Sequence, residues 1–171
     1  MRVRVLLLIT CAILGCRKRP AKPAAEVPAM APAPAPHVDE GLLAELSRQA
    51  AARPGSRPTV EDALGALEAA GMRVARRQQV LATPIGARYC VAAVTTGGLN
   101  MSICEFATAA AALAGRERSR LVWRAISGRT LLVNGSTLLT LIVHPGDPAI
   151  AAAGEEAARR FRGLSASSAP Q

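Results

Sequence analysis

The chain has 171 residues, a formal charge of +9 at pH 7 and a hydrophobic fraction of 50%. At about 150 residues per domain, this length accommodates one compact domain with tails, and the composition excludes a chain that is disordered throughout. One Trp, one Tyr and two Phe are too few rings for a surface that stacks the bases of single-stranded nucleic acid.

The positive charge is concentrated towards the N-terminus. Residues 1–38 carry +5 and the rest of the chain carries only +4. The basicity of the chain therefore reflects targeting and tethering more than a basic folded region, and we expect no nucleic-acid partner.

The N-terminus has the layout of a secretory signal peptide. Arg2 and Arg4 precede an apolar run over residues 5–14. A helix of that length rises only ~15 Å, which is too short to cross a bilayer core of ~30 Å. We therefore expect residues 1–15 to be a cleaved signal and not a transmembrane helix.

A cysteine stands directly after this signal, in the segment Ile13-Leu14-Gly15-Cys16. The segment resembles the lipobox of bacterial lipoproteins. The resemblance implies cleavage between Gly15 and Cys16, attachment of a diacylglycerol to Cys16 and acylation of the new amino terminus. The alternative is an ordinary signal peptide that is cleaved elsewhere, but no Ala-x-Ala site ends the apolar run.

The same resemblance implies a location. Several acyl chains anchor a protein stably to a bilayer, so the mature protein is expected in the cell envelope. In enterobacterial lipoproteins an Asp directly after the lipidated cysteine favours the inner membrane, and this chain has Arg17 there. The outer membrane of a Gram-negative bacterium is therefore the expected site.

Residues 16–38 form the expected lipidated cysteine and linker. Six of the twelve prolines of the chain fall in this segment, a composition typical of an extended polyproline II spacer. The cations Arg17, Lys18, Arg19 and Lys22 lie beside the anchor. They are either a solvated part of the linker or contacts with an anionic membrane surface.

Residues 39–164 are the predicted globular domain, and residues 165–171 a disordered tail. A first helix is predicted from Glu40 to Ala52 with Asp39 as N-cap. A second begins after Thr59, which forms a capping box with Asp62, and ends before Gly71. A strand from Met72 to Ala82 is expected to place Met72, Val74 and Val80 on one face.

The next segment predicts a hairpin whose register can be derived. Thr96-Gly97-Gly98 fits a three-residue loop, so the numbers of paired residues sum to 194. This register places Val91 opposite Ile103 on an apolar face and Cys90 opposite Cys104 on the other. Directly opposed cysteines in an oxidising compartment predict a Cys90–Cys104 disulfide, and a structural bridge is favoured over a redox pair because the C-x-x-C spacing is absent.

A third helix begins after Thr108, and Gly115 marks a point where it could break. Asn134-Gly135 then predicts a second hairpin, with apolar residues on both faces that favour a central, covered place in a sheet. A last helix follows the N-cap Asp147. The order predicts an α+β fold: a single small domain with an antiparallel sheet of four or five strands and helices mainly on one face.

Catalytic signals are sparse. His144 near Asp147 is one candidate, but His37 lies in the linker and two ligands do not make a metal site. We expect no metal and no cofactor, and the sequence favours a non-enzymatic protein over an enzyme. Arg73, Arg76 and Arg77 form a candidate anion-binding cluster for a polymer such as lipopolysaccharide, with a solvated strand face as the alternative.

Two functions remain. The first is a membrane-anchored envelope lipoprotein that acts as a non-enzymatic binding or structural module, held to the bilayer through acylated Cys16, with an envelope protein or an anionic polymer as partner. The second is a small periplasmic-facing enzyme or enzyme accessory whose site the sequence does not identify.

Overall fold

The computed structural model describes residues 39–55 and 57–165, which belong to one compact unit. Within these residues, four helices and five strands follow in chain order. They are α1 (Glu40–Ala51), α2 (Val60–Ala69), β1 (Val74–Val80), β2 (Tyr89–Thr95), β3 (Asn100–Glu105), α3 (Ala109–Val122), β4 (Arg129–Asn134), β5 (Thr137–Ile142) and α4 (Pro148–Arg162), with a short 3₁₀ helix, Thr83–Ile85, after β1.

The predicted helix starts are confirmed because side chains satisfy the first free N–H groups of each helix. The Asp39 carboxylate accepts from the Gly41 N–H at 2.9 Å, and Asp147 does the same for α4. Thr59 and Asp62 form the reciprocal capping box of α2, with bonds of 2.9 and 3.0 Å. Thr108 caps α3.

The five strands form one antiparallel sheet in the order β1-β2-β3-β5-β4. The predicted register of the β2–β3 hairpin is confirmed, with Cys90 opposite Cys104 and Val91 opposite Ile103. The α+β class, the single domain and the sheet of four or five strands are therefore confirmed.

Helices cover the sheet unevenly. On one face, which we call the helical face, α2 and α4 pack over a core that includes Leu67, Ile103, Leu139 and Phe161. On the other, the disulfide face, α3 and the 3₁₀ helix cover a smaller cluster around Cys90, Cys104, Phe106 and Leu138. Burial of these two apolar clusters is the main stabilising term of the fold.

The strand β1 differs from its prediction. It is shorter than residues 72–82, and its register with β2 shifts between Val74 and Arg76. An extra residue in one strand reverses which face the following residues occupy. Val74 therefore packs with the helical-face core and Val80 with the disulfide-face cluster, so the expectation that the two share a face was wrong.

The second hairpin differs in two respects. Its two-residue turn is Gly135-Ser136, because Asn134 belongs to β4 and pairs with Thr137, so the predicted Asn134-Gly135 turn was wrong by one residue. Its strand β5 occupies the predicted covered position, but β4 is an edge strand of the sheet. Apolar residues on both faces show that both faces are covered, and they carry no information about the hydrogen-bonding edge.

Gly115 does not break α3. The helix continues through it, and a Cβ at this position would lie 2.2 Å from Cε1 of Phe106. Glycine is needed here because the Phe106 ring packs directly against the helix backbone.

Candidate functional site

The predicted lipidation site lies outside the described residues, as do Cys11, His37 and the linker cations. Lipidation of Cys16 therefore stays a prediction. The second cysteine prediction is confirmed, because Cys90 and Cys104 form a disulfide across β2 and β3 with their Cα atoms 4.1 Å apart. Both cysteines are buried, in keeping with a structural bridge.

The three arginines of the candidate anion site lie at or near β1. Arg73 precedes the strand, and its carbonyl accepts from the Thr96 N–H at 2.9 Å. Arg76 and Arg77 are neighbours within the strand and point to opposite faces of the sheet. All three are exposed. None forms an ion pair with an acid in the part of the chain that the structure describes.

A groove separates β1 from α2 on the helical face. It consists of two adjoining pockets of about 230 and 290 Å³, and we call it the α2–β1 groove. Both pockets are lined by Glu61, Leu64 and Arg77, which makes them continuous. Tyr89 and Gln79 line one end, and Arg76 and Glu68 the other. The groove is therefore polar along its rim, with arginines on the strand side.

An ion cluster stands at the Tyr89 end of this groove. Glu105 is fully buried, and its carboxylate accepts from Arg53 Nε at 2.8 Å and from the Val60 N–H, at the start of α2, at 2.7 Å. Arg53 also pairs with Glu61 and lies over the Tyr89 ring, 4.5 Å from its centroid. The cluster thus ties the loop after α1, the first turn of α2 and the end of β3 together.

The opposite charges of the cluster shift the pKa values of its members so that each is more stable in its charged form. The hydrogen bond from Arg53 holds the pKa of the Glu61 carboxyl below its ordinary value, and the positive charge of Arg77 contributes to the same shift. In return, the bonds to Glu105 and then Glu61 raise the pKa of Arg53. Arg53 is therefore held in structural ion pairs, whereas Arg76 and Arg77, which also line the groove, form no ion pair with a described acid.

Sequence reasoning did not identify this cluster. Arg53 and Glu105 are 52 positions apart, and no local pattern joins them. The available signal was Glu105 itself, an acid that follows the alternating apolar residues of β3 immediately before the buried Phe106. A carboxylate in that position must find a partner, because an unpaired buried charge is very costly.

In the loop between β5 and α4, His144 and Asp147 do not form the acid–base pair that the sequence suggested. His144 is exposed, and the Asp147 carboxylate bonds to the N–H groups of Ala149 and Ile150 at 3.0 and 3.1 Å. Asp147 is therefore occupied as a helix cap. Within residues 39–55 and 57–165, no group of three or more His, Cys, Asp or Glu residues is placed to hold a metal ion.

The two partly exposed aromatic residues both contact arginines. Trp123 lies beside Arg129, whose guanidinium carbon is 5.6 Å from the ring centroid, and Tyr89 lies beside Arg53. Phe106 and Phe161 are buried. Among the helices that the structure describes, none has the length and hydrophobicity needed to cross a bilayer.

Comparison with models of known protein families finds no match, and comparisons with curated proteins and with solved structures find none either.

Proposed function

We propose that the chain is a lipid-anchored protein of the bacterial cell envelope, attached through acylated Cys16, and that its α+β domain is a non-enzymatic binding module for an anionic envelope component. The lipobox-like segment Ile13–Cys16 supports the anchor. The cross-strand disulfide supports an oxidising compartment, since such bridges are rare in proteins kept under reducing conditions.

The observation that carries the binding function is the cluster of arginines at β1, of which Arg76 and Arg77 line the α2–β1 groove. Arg73, Arg76 and Arg77 are exposed without an acidic partner in the described structure, whereas Arg53 is already paired. Guanidinium groups bind phosphates and carboxylates in a bidentate geometry. The ligand chemistry that fits is a polymer carrying repeated phosphate or carboxylate groups, such as lipopolysaccharide.

The expected strength of binding is modest. Exposed ion pairs contribute about 0.5 kcal/mol each in the middle of their usual range, so three arginines contribute about 1.5 kcal/mol, a factor of roughly ten in affinity. Such contacts weaken with salt. A membrane anchor compensates for weak contacts by holding the domain at a high local concentration near its ligand.

The test of the anchor is the Cys16→Ser variant, followed by envelope fractionation. The proposal expects the wild-type protein in the outer-membrane fraction and the variant released from the membrane without its lipid. A variant that keeps the wild-type mass and stays membrane-bound would contradict it. Cys11→Ser serves as the matched control, because Cys11 belongs to the predicted signal and its loss leaves the lipidation site intact.

The test of binding uses the full chain with Cys16→Ser and purified lipopolysaccharide at low and high salt. We expect R73Q/R76Q/R77Q to weaken binding about tenfold at low salt. The control is R118Q/R120Q/R124Q, which removes the same charge from exposed positions on and just after α3. Equal losses in the two triple variants would show a general charge effect and would contradict a site at β1.

A further inference from the structure

The two edge strands of the sheet, β1 and β4, differ in how well they are protected against pairing with another strand. At the β1 edge, a bulge follows Val74 and exposed arginines stand at positions 76 and 77; these features protect an edge against pairing with another strand. At the β4 edge, the register with β5 is unbroken from Arg129 to Asn134. Arg129 is the only charged residue of this strand, and its guanidinium turns back to the Ser119 and Trp123 carbonyls.

The β4 edge presents backbone groups for pairing. The Val143 N–H donates to the Gly128 carbonyl at 2.8 Å, and hydrogen-bonded pairs alternate along an antiparallel ladder. Thr130, Leu132 and Asn134 therefore bond to β5, and the N–H and C=O groups of Arg129, Leu131 and Val133 point away from it. No strand pairs with this edge in the part of the chain that the structure describes.

Helices flank β4 on both faces of the sheet. Helices α3 and α4 both contact the strand. A pocket of about 330 Å³ lies next to Thr130 on the α4 side; Leu141 and Val143 form part of its lining, and Glu155 and Arg162 supply one charge of each sign. An added strand would thus gain main-chain hydrogen bonds, and the pocket beside Thr130 could receive one of its side chains.

We propose that β4 pairs with β4 of a second copy of this chain, antiparallel across a two-fold axis, so that the two five-stranded sheets become one continuous sheet. This inference does not depend on the proposed function. Centring the axis on Leu131 lets Leu131 bond to its own copy and places Arg129 opposite Val133 and Thr130 opposite Leu132.

The sequence of β4 is complementary to itself in this register. No like charges stand opposite each other, and leucine meets leucine at the centre. Outward backbone groups of Arg129, Leu131 and Val133 are all satisfied by the second copy. The same operation at the β1 edge would bring two sets of adjacent arginines together, which is unfavourable. A closed two-fold contact also leaves no β4 edge open for further growth.

The experiment measures the mass of the full chain with Cys16→Ser by light scattering over a range of concentrations. Thr130 is exposed, and in the proposed dimer it is a diagonal neighbour of its own copy, within reach of long side chains. Thr130→Lys alone and Thr130→Glu alone are each expected to raise the dimer dissociation constant about fivefold through like-charge repulsion. An equimolar mixture of the two variants is expected to restore dimerisation.

Controls and a second measurement keep the outcome decisive. Gln78→Lys and Gln78→Glu introduce the same charges at an exposed position of β1 and should leave the dissociation constant unchanged. Amide exchange at Leu131 and Val133 should slow as the wild-type protein is concentrated. The proposal would be overturned by a wild-type chain that stays monomeric. It would also be overturned if charges at Thr130 left the dissociation constant unchanged, or if the β4 amides became protected only when a different protein is added.

Discussion

The buried carboxylate of Glu105 makes a sharp prediction about stability. Arg53→Ala removes the guanidinium and leaves the fully buried Glu105 carboxylate with the Val60 N–H as its remaining hydrogen-bond donor among the residues that the structure describes. Breaking a buried ion pair from one side costs about 3–5 kcal/mol. Because the Arg53 side chain is 28% exposed, solvent screens part of the pair, and we expect a loss of about 3 kcal/mol, the lower end of that range.

Glu105→Gln is the informative companion. The amide keeps an acceptor for the Val60 N–H and carries no charge, so the loss is expected near about 1–2 kcal/mol, the scale of one charged hydrogen bond. In the Glu105→Gln background, removing Arg53 no longer leaves an unpaired buried charge. The double variant should therefore be more stable than the sum of the two single losses predicts, by about 1–2 kcal/mol.

Urea unfolding followed by circular dichroism measures all four free energies in this cycle, and equal slopes would show that the denatured states are comparable. A loss below about 1 kcal/mol for Arg53→Ala, the scale of an ordinary surface pair, would refute the reasoning. Additive single losses would refute it as well, because they would show that Arg53 and Glu105 do not stabilise each other.

Three further predictions concern packing, the disulfide and pH. Gly115→Ala should destabilise the protein by about 1–3 kcal/mol through contact with Phe106, measured by thermal unfolding; a gain of about 1 kcal/mol, as helix propensity alone predicts, would contradict the packing. Replacing Cys90 and Cys104 by Ala should lower the free energy of unfolding in urea by about 3 kcal/mol. An unchanged urea midpoint would show that the disulfide does not stabilise the fold. The folded-state pKa of Glu61 lies below its ordinary value of 4.5. The stability that this carboxylate supplies should therefore be complete above about pH 4.5 and be lost as the pH falls further. The unfolding free energies of wild type and Glu61→Gln, measured against pH, should converge in acid; a constant difference between them would contradict the ion pair of Glu61 with Arg53.

Local features of the fold were predictable because short-range chemistry determines them. The Thr96-Gly97-Gly98 loop determined the register of β2 and β3, and with it the position of Cys90 opposite Cys104. The caps at Asp39, Thr59 and Asp147 determined where helices begin. In each case the decisive interaction joins residues within a few positions of a turn.

Features that depend on distant parts of the chain were not predictable. The bulge after Val74 reversed the faces of β1, and no glycine marked it; the apolar alternation stops after Val74, but that alone does not distinguish a bulge from an exposed strand. The position of β4 at an edge depends on strand order, which hydrophobic periodicity does not encode. For the candidate site, the arginine cluster was visible in the sequence, but the α2–β1 groove and the Arg53–Glu105 pair beside it arise only when α2 packs on the sheet.

The most direct test of a lipid-anchored envelope protein is the intact mass of the wild-type chain extracted from bacterial membranes without reduction. We predict a polypeptide that begins at Cys16 and carries a diacylglycerol and an amide-linked acyl chain, with Cys90 and Cys104 oxidised. A chain that begins at Met1 or at any residue other than Cys16, or one whose Cys16 carries no lipid, would contradict the central claim.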